Sequence, residues 1–138
     1  MAKLHGKAFD LEVNAVDIST ATRKFGLAIS VDTAEVTNAA SGGSKEYLEG
    51  NSDATMSADG PCDFGAGLQD ATIFALIGAG ADTVHILGDG GSAIAAGNPE
   101  YQQSGILSGY NIDFDITKDI SWSASWQRSG ATTRDVVA

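Results

Sequence analysis

The chain has 138 residues, of which 43% are hydrophobic, and its 18 acidic and 8 basic side chains give a formal net charge of −10. This length predicts a single domain over residues 1–138, and the apolar content excludes a fully disordered polymer. No Lys or Arg occurs between Lys45 and Lys118. Because tight phosphate binding needs basic grooves, the composition argues against a protein that binds nucleic acid tightly.

The first half of the sequence predicts short strands separated by loops. Apolar and polar side chains alternate over residues 9–13 and again over 25–31, and a period of two is typical of half-buried strands. A further extended segment over 46–57 precedes a predicted turn at 59–61. Between these strands we expect a flexible loop, marked by small and polar residues: Asn38, Ser41, Gly42, Gly43 and Ser44.

One short α-helix is predicted, at about residues 68–77. Its helical spacing is carried by Leu68, Ala71, Thr72, Ala75 and Leu76. Asp70 lies in the first turn, where an acid favours the helix dipole, and Gly78 ends the helix. Phe74 and Ile77 widen the apolar stripe, so we expect the helix to pack over a flank or open end of a sheet. After the helix, residues 83–87 are predicted to form a further strand.

The strongest pattern is a pair of alternating runs that predicts an antiparallel hairpin, with strands over about 101–116 and 119–128. The apolar positions are Tyr110, Ile112, Phe114, Ile116, Ile120, Trp122, Ala124 and Trp126. We expect the two tryptophans to be buried with Tyr110, Phe114, Phe74 and Ile77. The opposite face holds only acids, amides and hydroxyls: Asn111, Asp113, Asp115, Ser121, Ser123 and Ser125.

The sequence offers no clear arrangement of catalytic or metal-binding groups. His5 and His85 are 80 residues apart and outside any metal-binding spacing, and Cys62 is the only cysteine. Asp113 and Asp115 are flanked by serine and asparagine, whereas a catalytic carboxylate pair needs a pocket that perturbs its pKa values. We therefore expect no enzymatic activity, no metal and no cofactor.

The order of these segments resembles the tail tube, or major tail, proteins of long-tailed bacteriophages. The resemblance rests on the opening MAKLHGK, the stretch AEVTNAASGGSKEYLEGNSDATMSADG, the apolar helix LQDATIFALIG and the closing WSASWQRSG. In that family a strand ending in Thr, here Thr37, leads into a long polar loop and then a Tyr and a Gly, here Tyr47 and Gly50. Asn51 departs from the pattern, because a bulky apolar residue is common at that position.

The resemblance implies a mainly β domain, a β-sandwich or barrel-like tail-tube fold with one short flanking helix, related to type VI secretion tubes and tail terminators. Such subunits form hexameric rings that stack into a tube for DNA ejection. Partners implied are other copies of the chain and the tape measure, tail terminator and distal tail proteins. The expected location is the virion tail, assembled in the host bacterial cytoplasm, with no membrane association.

Within that architecture, particular residues receive expected roles. The polar hairpin face, Asn111, Asp113, Asp115, Ser121, Ser123 and Ser125, is expected to line an acidic lumen through which DNA passes without tight binding. The N-terminal segment 1–8 and the loop 38–46 are expected to be arms between subunits, and Asn38, Ser41, Gly42, Gly43 and Ser44 are expected to contact the adjacent ring.

Two other classes of protein stay open. A phage capsid decoration protein can share this size, acidity and β-rich composition without forming tubes. A carbohydrate-binding β-sandwich would use Trp122 and Trp126 as an exposed platform. Their alternation with serine favours burial in a core instead.

Overall fold

The computed structural model describes residues 4–136 and confirms a mainly β domain with one short helix. Across those residues the strands are β1 (Asp10–Val13), β2 (Val16–Asp17), β3 (Lys24–Glu35), β4 (Tyr47–Pro61), β5 (Ala81–Leu87), β6 (Glu100–Asp113), β7 (Ser121–Arg128) and β8 (Thr133–Asp135). The helix α1 spans Gln69–Ala75, and short 3-10 turns lie at Gly6–Ala8, Ser19–Ala21 and Ala39–Ser41. No helix within 4–136 is long and apolar enough to cross a membrane.

The strands form one sheet in the order β2-β1-β5-β6-β7-β4-β3, with β8 beside β6, and the pairings between them are antiparallel. The long strand β6 joins two halves, because residues 100–106 pair with β5 while residues 105–113 pair with β7. At this junction a Cβ on Gly105 would lie 2.7 Å from the Met56 Cε atom. It would also lie 3.2 Å from the Trp126 Cβ atom, so a larger residue here would require the Met56 side chain to move.

One apolar core lies between the two halves of the sheet and beneath α1. It contains Leu11, Val13, Ile18, Met56, Ala58, Ile73, Leu76, Val84, Trp122, Ala124 and Trp126. Trp122 and Trp126 are 2% and 0% exposed, as the alternation predicted. The Trp122 indole N–H donates a 2.7 Å hydrogen bond to the Ala21 carbonyl, which satisfies its polar atom inside the core.

The predicted burial of three apolar residues is wrong. Phe74, Ile77 and Phe114 are 67%, 56% and 68% exposed. The helix instead buries Ile73 and Leu76, which lie on the face towards the sheet. Phe114 fails because β6 ends at Asp113, not at residue 116 as predicted.

Two predicted boundaries also change. Residues 59–61, predicted as a turn, are the last three residues of β4, where Asp59 pairs with Ser123 and Pro61 with Ser121. β5 begins two residues before the predicted strand 83–87. The short strands β2 and β8 were not predicted.

Candidate assembly surfaces

The sheet half formed by β3, β4, β7 and β6 has one face towards the core and one face towards solvent. We call the solvent side the polar face. By strand register it consists of Lys24, Gly26, Ala28, Ser30, Asp53, Thr55, Ser57, Asp59, Pro61, Ile106, Gly109, Asn111, Asp113, Ser121, Ser123, Ser125 and Gln127. The face arises because the alternate positions of the same strands, such as Met56 and Trp126, are buried.

Five of the six residues predicted for a lumen share this polar face. Asn111 pairs with Ser123, Asp113 with Ser121 and Gly109 with Ser125. A side-chain hydrogen bond of 2.9 Å joins the hydroxyls of Ser108 and Ser125 at a bulge in β6. The side chains at these positions are short and polar.

Asp115 does not belong to that strand face. It lies in the loop 114–120, where its carboxylate accepts hydrogen bonds from the Thr117 backbone N–H at 2.9 Å and the Thr117 hydroxyl at 2.7 Å. These hydrogen bonds lower the pKa of Asp115. The expected alternation of Asp113 with Asp115 along one strand is therefore absent.

The polar face is acidic by residue count. Its carboxylates are Asp53, Asp59 and Asp113, and its one cationic residue is Lys24, which pairs with Asp59 across β3 and β4. At the end of the face near β7's start, an open groove of about 530 Å³ is lined by Arg23, Asp59, Asn111, Asp113, Ser121 and Ser123. The groove mixes one guanidinium with two carboxylates and does not form a phosphate-binding site.

The four strands of the polar face end in two unpaired edges. Among residues 4–136, β3 pairs only with β4, and the stretch 107–113 of β6 pairs only with β7. Because each pairing across the four strands is antiparallel, β3 and β6 run in opposite directions. The free edge of β3 could therefore pair antiparallel with the free β6 edge of a second copy.

A long hairpin projects beyond the rest of the sheet. β7 pairs with β4 only from Thr55 onwards, so residues 29–53, which we call the arm, extend past it. Apart from half-buried Ser41, every residue of the arm is exposed, including several large apolar side chains: Ile29, Val31, Val36, Tyr47 and Leu48. A two-stranded hairpin is marginally stable alone, so the arm is suited to packing against another molecule.

The predicted loop 38–44 forms the tip of this arm. Asn38 caps the Ala39–Ser41 turn by accepting a 2.8 Å hydrogen bond from the Ala40 N–H, and Gly42 follows in the left-handed region at φ 64°. At the root of the arm, Arg128 donates hydrogen bonds to the Ser52 carbonyl at 2.8 Å and hydroxyl at 2.9 Å. The sequence indicated the tip but not the length of the projecting hairpin.

The other predicted arm is the segment 1–8. Its first three residues lie outside the described residues. Residues 4–8 are exposed and include the Gly6–Ala8 turn, capped by the His5 ring nitrogen, which accepts a 3.1 Å hydrogen bond from the Lys7 N–H.

His85 and Cys62, which were considered as possible functional residues, each lie near one side chain of a neighbouring strand. His85 Nδ1 lies 3.1 Å from Glu100 Oε1 across β5 and β6. Burial raises the pKa of the Cys62 thiol, whose sulfur lies 4.0 Å from the Tyr110 hydroxyl. Within residues 4–136 no group of three or more potential ligands is placed to hold a metal ion. The burial of Trp122 and Trp126 also leaves no exposed tryptophan platform for a carbohydrate.

The sequence matches no family model and no curated protein. Solved structures nevertheless share the fold over nearly the whole chain. A chain of the tail of an empty gene transfer agent particle, solved with C6 symmetry, superposes with a TM-score of 0.74 at 14% identity, covering 95% of this chain and 98% of that one.

Two further structures agree. A chain of the PVC sheath–tube complex, an extracellular contractile injection system in its extended state, gives a TM-score of 0.76 at 13% identity and covers 98% and 93% of the two chains. The SPP1 tail tube gives 0.75 at 11% identity and covers 99% and 81%. The chain therefore has a fold found in tail and tube assemblies, as the resemblance implied.

Proposed function

We propose that this chain is a tail tube subunit of a phage or phage-like particle, which polymerises as stacked rings into a conduit for DNA. The observation that carries the proposal is the polar face with its two free edges of opposite direction. One strand edge of each copy can pair with the other edge of the next copy. Such a head-to-tail contact closes into a ring when the rotation between neighbouring subunits is an integer fraction of a full turn.

Ring closure removes a hazard of the isolated chain. Unpaired strand edges promote uncontrolled association, and a closed barrel has no edges. Six copies, the symmetry of the similar gene transfer agent tail, would contribute four strands each. At usual strand spacing and tilt, such a barrel is roughly 45–50 Å across at the backbone. That width leaves room for duplex DNA inside.

The polar face is proposed as the lumen wall. Asn111, Asp113, Ser121, Ser123 and Ser125 would then face the DNA, and Asp115 would lie in the loop at the rim. Carboxylates repel phosphates, and short hydroxyl side chains offer little surface for adhesion, so DNA would pass without tight binding. In the opposite orientation the polar face would lie on the outside of the ring. The other face of the same strands, which is covered by the core, would then point towards the ring axis.

The proposed location is the virion tail, with assembly in the host bacterial cytoplasm. The arm and the segment 1–8 are proposed to contact neighbouring subunits, with Asn38, Ser41, Gly42, Gly43 and Ser44 at the adjacent ring. Tape measure, tail terminator and distal tail proteins would be further partners. The role is structural, so no enzymatic activity is proposed. A capsid decoration protein would not need two complementary free edges.

A crosslinking experiment tests the ring. In a Cys62→Ser background, Ala28→Cys places a thiol on the polar face of β3, and Asn111→Cys places one on the polar face of β6. With a short bismaleimide, the double-cysteine protein should give a ladder that ends at the ring size, whereas either single-cysteine protein can link at most two chains. A double-cysteine protein that remains monomeric at every concentration, with no rings in negative-stain images, would contradict the proposal.

A further inference from the structure

Two large apolar side chains near the end of α1, Phe74 and Ile77, are exposed although the helix lies over the core. They follow Asp70 at helical spacing, and the Ile77 N–H donates a hydrogen bond to the Phe74 carbonyl at 3.3 Å. These three residues therefore share one side of the helix, which we call the helix stripe. Asp70 accepts the hydrogen bond of the Tyr110 hydroxyl. Since Tyr110 belongs to the free stretch of β6, the helix stripe lies on the side of that free edge.

A second apolar group lies at the opposite free edge, on β3. Its members alternate along the strand on the face that Met56 occupies in β4, which is the face towards the core, and we call them the β3 stripe: Phe25, Leu27, Ile29 and Val31. The first two are half-buried against the core, whereas Ile29 and Val31 are 52% and 44% exposed. The helix stripe and the β3 stripe therefore both lie behind the polar face, at its two edges.

The two stripes also lie at the same height along the strands. One row of paired residues crosses the four strands: Ile106, Gln127, Thr55 and Ala28. Ile29 and Val31 follow directly after Ala28 in β3. At the other edge, the segment after α1 leads to Ala81, which pairs with Ile106. Each stripe therefore lies near one end of this row.

We infer that the helix stripe of one copy packs on the β3 stripe of the neighbouring copy in the same ring. The inference rests on the proposed function and adds an apolar contact behind the strand pairing. When the free edge of β6 pairs with the free edge of β3 in a second copy, the surfaces behind the two edges become continuous, so the helix beside β6 meets the stripe behind β3. Each backbone hydrogen bond at such an edge contributes little net free energy, whereas burial of these apolar side chains adds hydrophobic stabilisation.

The charged groups near the two stripes are engaged within their own chain. Asp70, the one carboxylate of the helix stripe, is half-buried and bonded to Tyr110. The β3 stripe has no charged member, and Arg128, on the same face of the sheet, donates hydrogen bonds to the Ser52 carbonyl and the Thr132 hydroxyl. The two stripes therefore meet as apolar surfaces. A second copy is the occupant that fits, because both stripes belong to one chain and lie at the two edges that would pair.

Crosslinking tests the contact in a Cys62→Ser background. With a short bismaleimide, the protein carrying Ile77→Cys and Ile29→Cys should give a ladder of linked chains that ends at the ring size. A link within one chain is not expected, because β3 and β6 are three strand spacings apart, roughly 14 Å. The matched control combines Ile77→Cys with Ala28→Cys. Ala28 adjoins Ile29 but lies on the polar face, so this protein should give no ladder.

A charge placed in the helix stripe tests its contribution to assembly. Phe74→Asp should raise the protein concentration at which rings appear by about tenfold or more, because a charge would replace an apolar group at a buried contact. Since Phe74 is exposed in the monomer, the melting temperature of the monomer should be unchanged. Phe74→Leu keeps the position apolar, and Ala75→Asp places the same charge on the exposed side of α1 outside the stripe. Both controls should form rings like the parent, as measured by sedimentation over a concentration series.

The outcomes separate the two proposals. If the parent forms no rings at all, the proposed tube function fails and the helix contact fails with it. If the polar-face pair Ala28→Cys with Asn111→Cys gives a ladder while Ile77→Cys with Ile29→Cys gives none, the helix contact is wrong and the ring stands. Rings from Phe74→Asp at the parental concentration would also overturn the contact.

Discussion

The Tyr110 hydroxyl donates a 2.7 Å hydrogen bond to Oδ1 of Asp70 and so ties α1 to the back of the strand whose front carries Asn111. The Gln69 side-chain amide donates a 3.2 Å hydrogen bond to the same hydroxyl, and its carbonyl accepts one from the Asp63 N–H at 3.2 Å. The helix is therefore held by a polar network as well as by Ile73 and Leu76. Its position behind the polar face braces the proposed lumen wall.

This network should make the fold sensitive to alkali. Burial and the hydrogen bond to Asp70 raise the pKa of Tyr110 above its ordinary value of 10.0. The unfolded chain therefore loses this proton first, so the stabilisation is complete below pH 10 and falls as the pH rises above it. Chemical denaturation between pH 8 and pH 11.5 should show that the difference in unfolding free energy between the parent and Tyr110→Phe narrows above pH 10. A constant difference over that range would contradict this.

The two buried tryptophans should respond differently to the same substitution. Trp122→Phe leaves the Ala21 carbonyl without its indole donor, whereas the Trp126 indole N–H has no partner to lose. Removing one partner of a buried hydrogen bond costs about 1–3 kcal/mol, so Trp122→Phe should be more destabilising than Trp126→Phe by roughly that amount. Trp122→Ala should cost about 3–5 kcal/mol. Urea unfolding measures each value, and equal costs for the two phenylalanine variants would show that the indole bond contributes little.

Alternation of apolar and polar residues was sufficient to predict β1, β7 and parts of β3 and β6. It failed where a pattern of period two continued past the end of the sheet. Phe114 and Ile116 keep the alternation, but the hydrogen bonds from Thr117 to Asp115 form a local turn instead. In this turn the Asp115 side chain accepts hydrogen bonds that replace hydrogen bonds between strands. A period of two in the sequence gives no indication of such a side-chain hydrogen bond.

The helix shows a second limit. Its sequence is apolar on nearly every side, so periodicity alone could not choose between Ile73 and Phe74. In the structure the buried face of the helix also contains Gln69, which is 1% exposed. Its side-chain amide is hydrogen-bonded to groups that lie 6 and 41 residues away in the sequence. Distant partners of this kind, like the free edges of β3 and β6, follow from topology and could not be derived from local sequence.

Asp82 should destabilise the fold at neutral pH. Its side chain is 4% exposed, and one oxygen is unpartnered while the other accepts a 3.4 Å hydrogen bond from Asn14. Burial raises the pKa of Asp82, so its contribution to stability falls as the pH rises from 3.8 through the folded-state pKa. Asp82→Asn removes the buried charge and should raise the melting temperature at pH 7 but not at pH 3.5. A loss of stability at both pH values would show that the carboxylate is satisfied in solution.

The polar face can be tested by its effect on DNA. Asp113→Lys should change the unfolding free energy by no more than about 0.5 kcal/mol, as is usual for exposed charges. Tubes assembled from it in the presence of a duplex fragment should retain the DNA at low salt and release it as salt rises, because phosphate contacts are screened. Glu12→Lys makes the same change in charge on β1, outside the polar face, and should retain no more DNA than the parent. Equal retention by both variants would contradict a lumen-facing Asp113.

Shortening the arm should separate folding from stacking. Replacing residues 37–45 with Asn-Gly joins β3 to β4 through a two-residue turn and leaves the pairing of Glu35 with Tyr47 in place. Since the removed residues contact no part of the core, the circular dichroism spectrum and melting temperature should match those of the parent. Rings should still form through the free edges of β3 and β6, but they should not stack into tubes. The control for a change in chain length is an insertion of Gly and Ser residues at the exposed Gly130, equal in number to the residues removed from the arm. This insertion should not affect stacking. Tubes of parental length from the shortened protein would exclude the tip of the arm as a contact between rings.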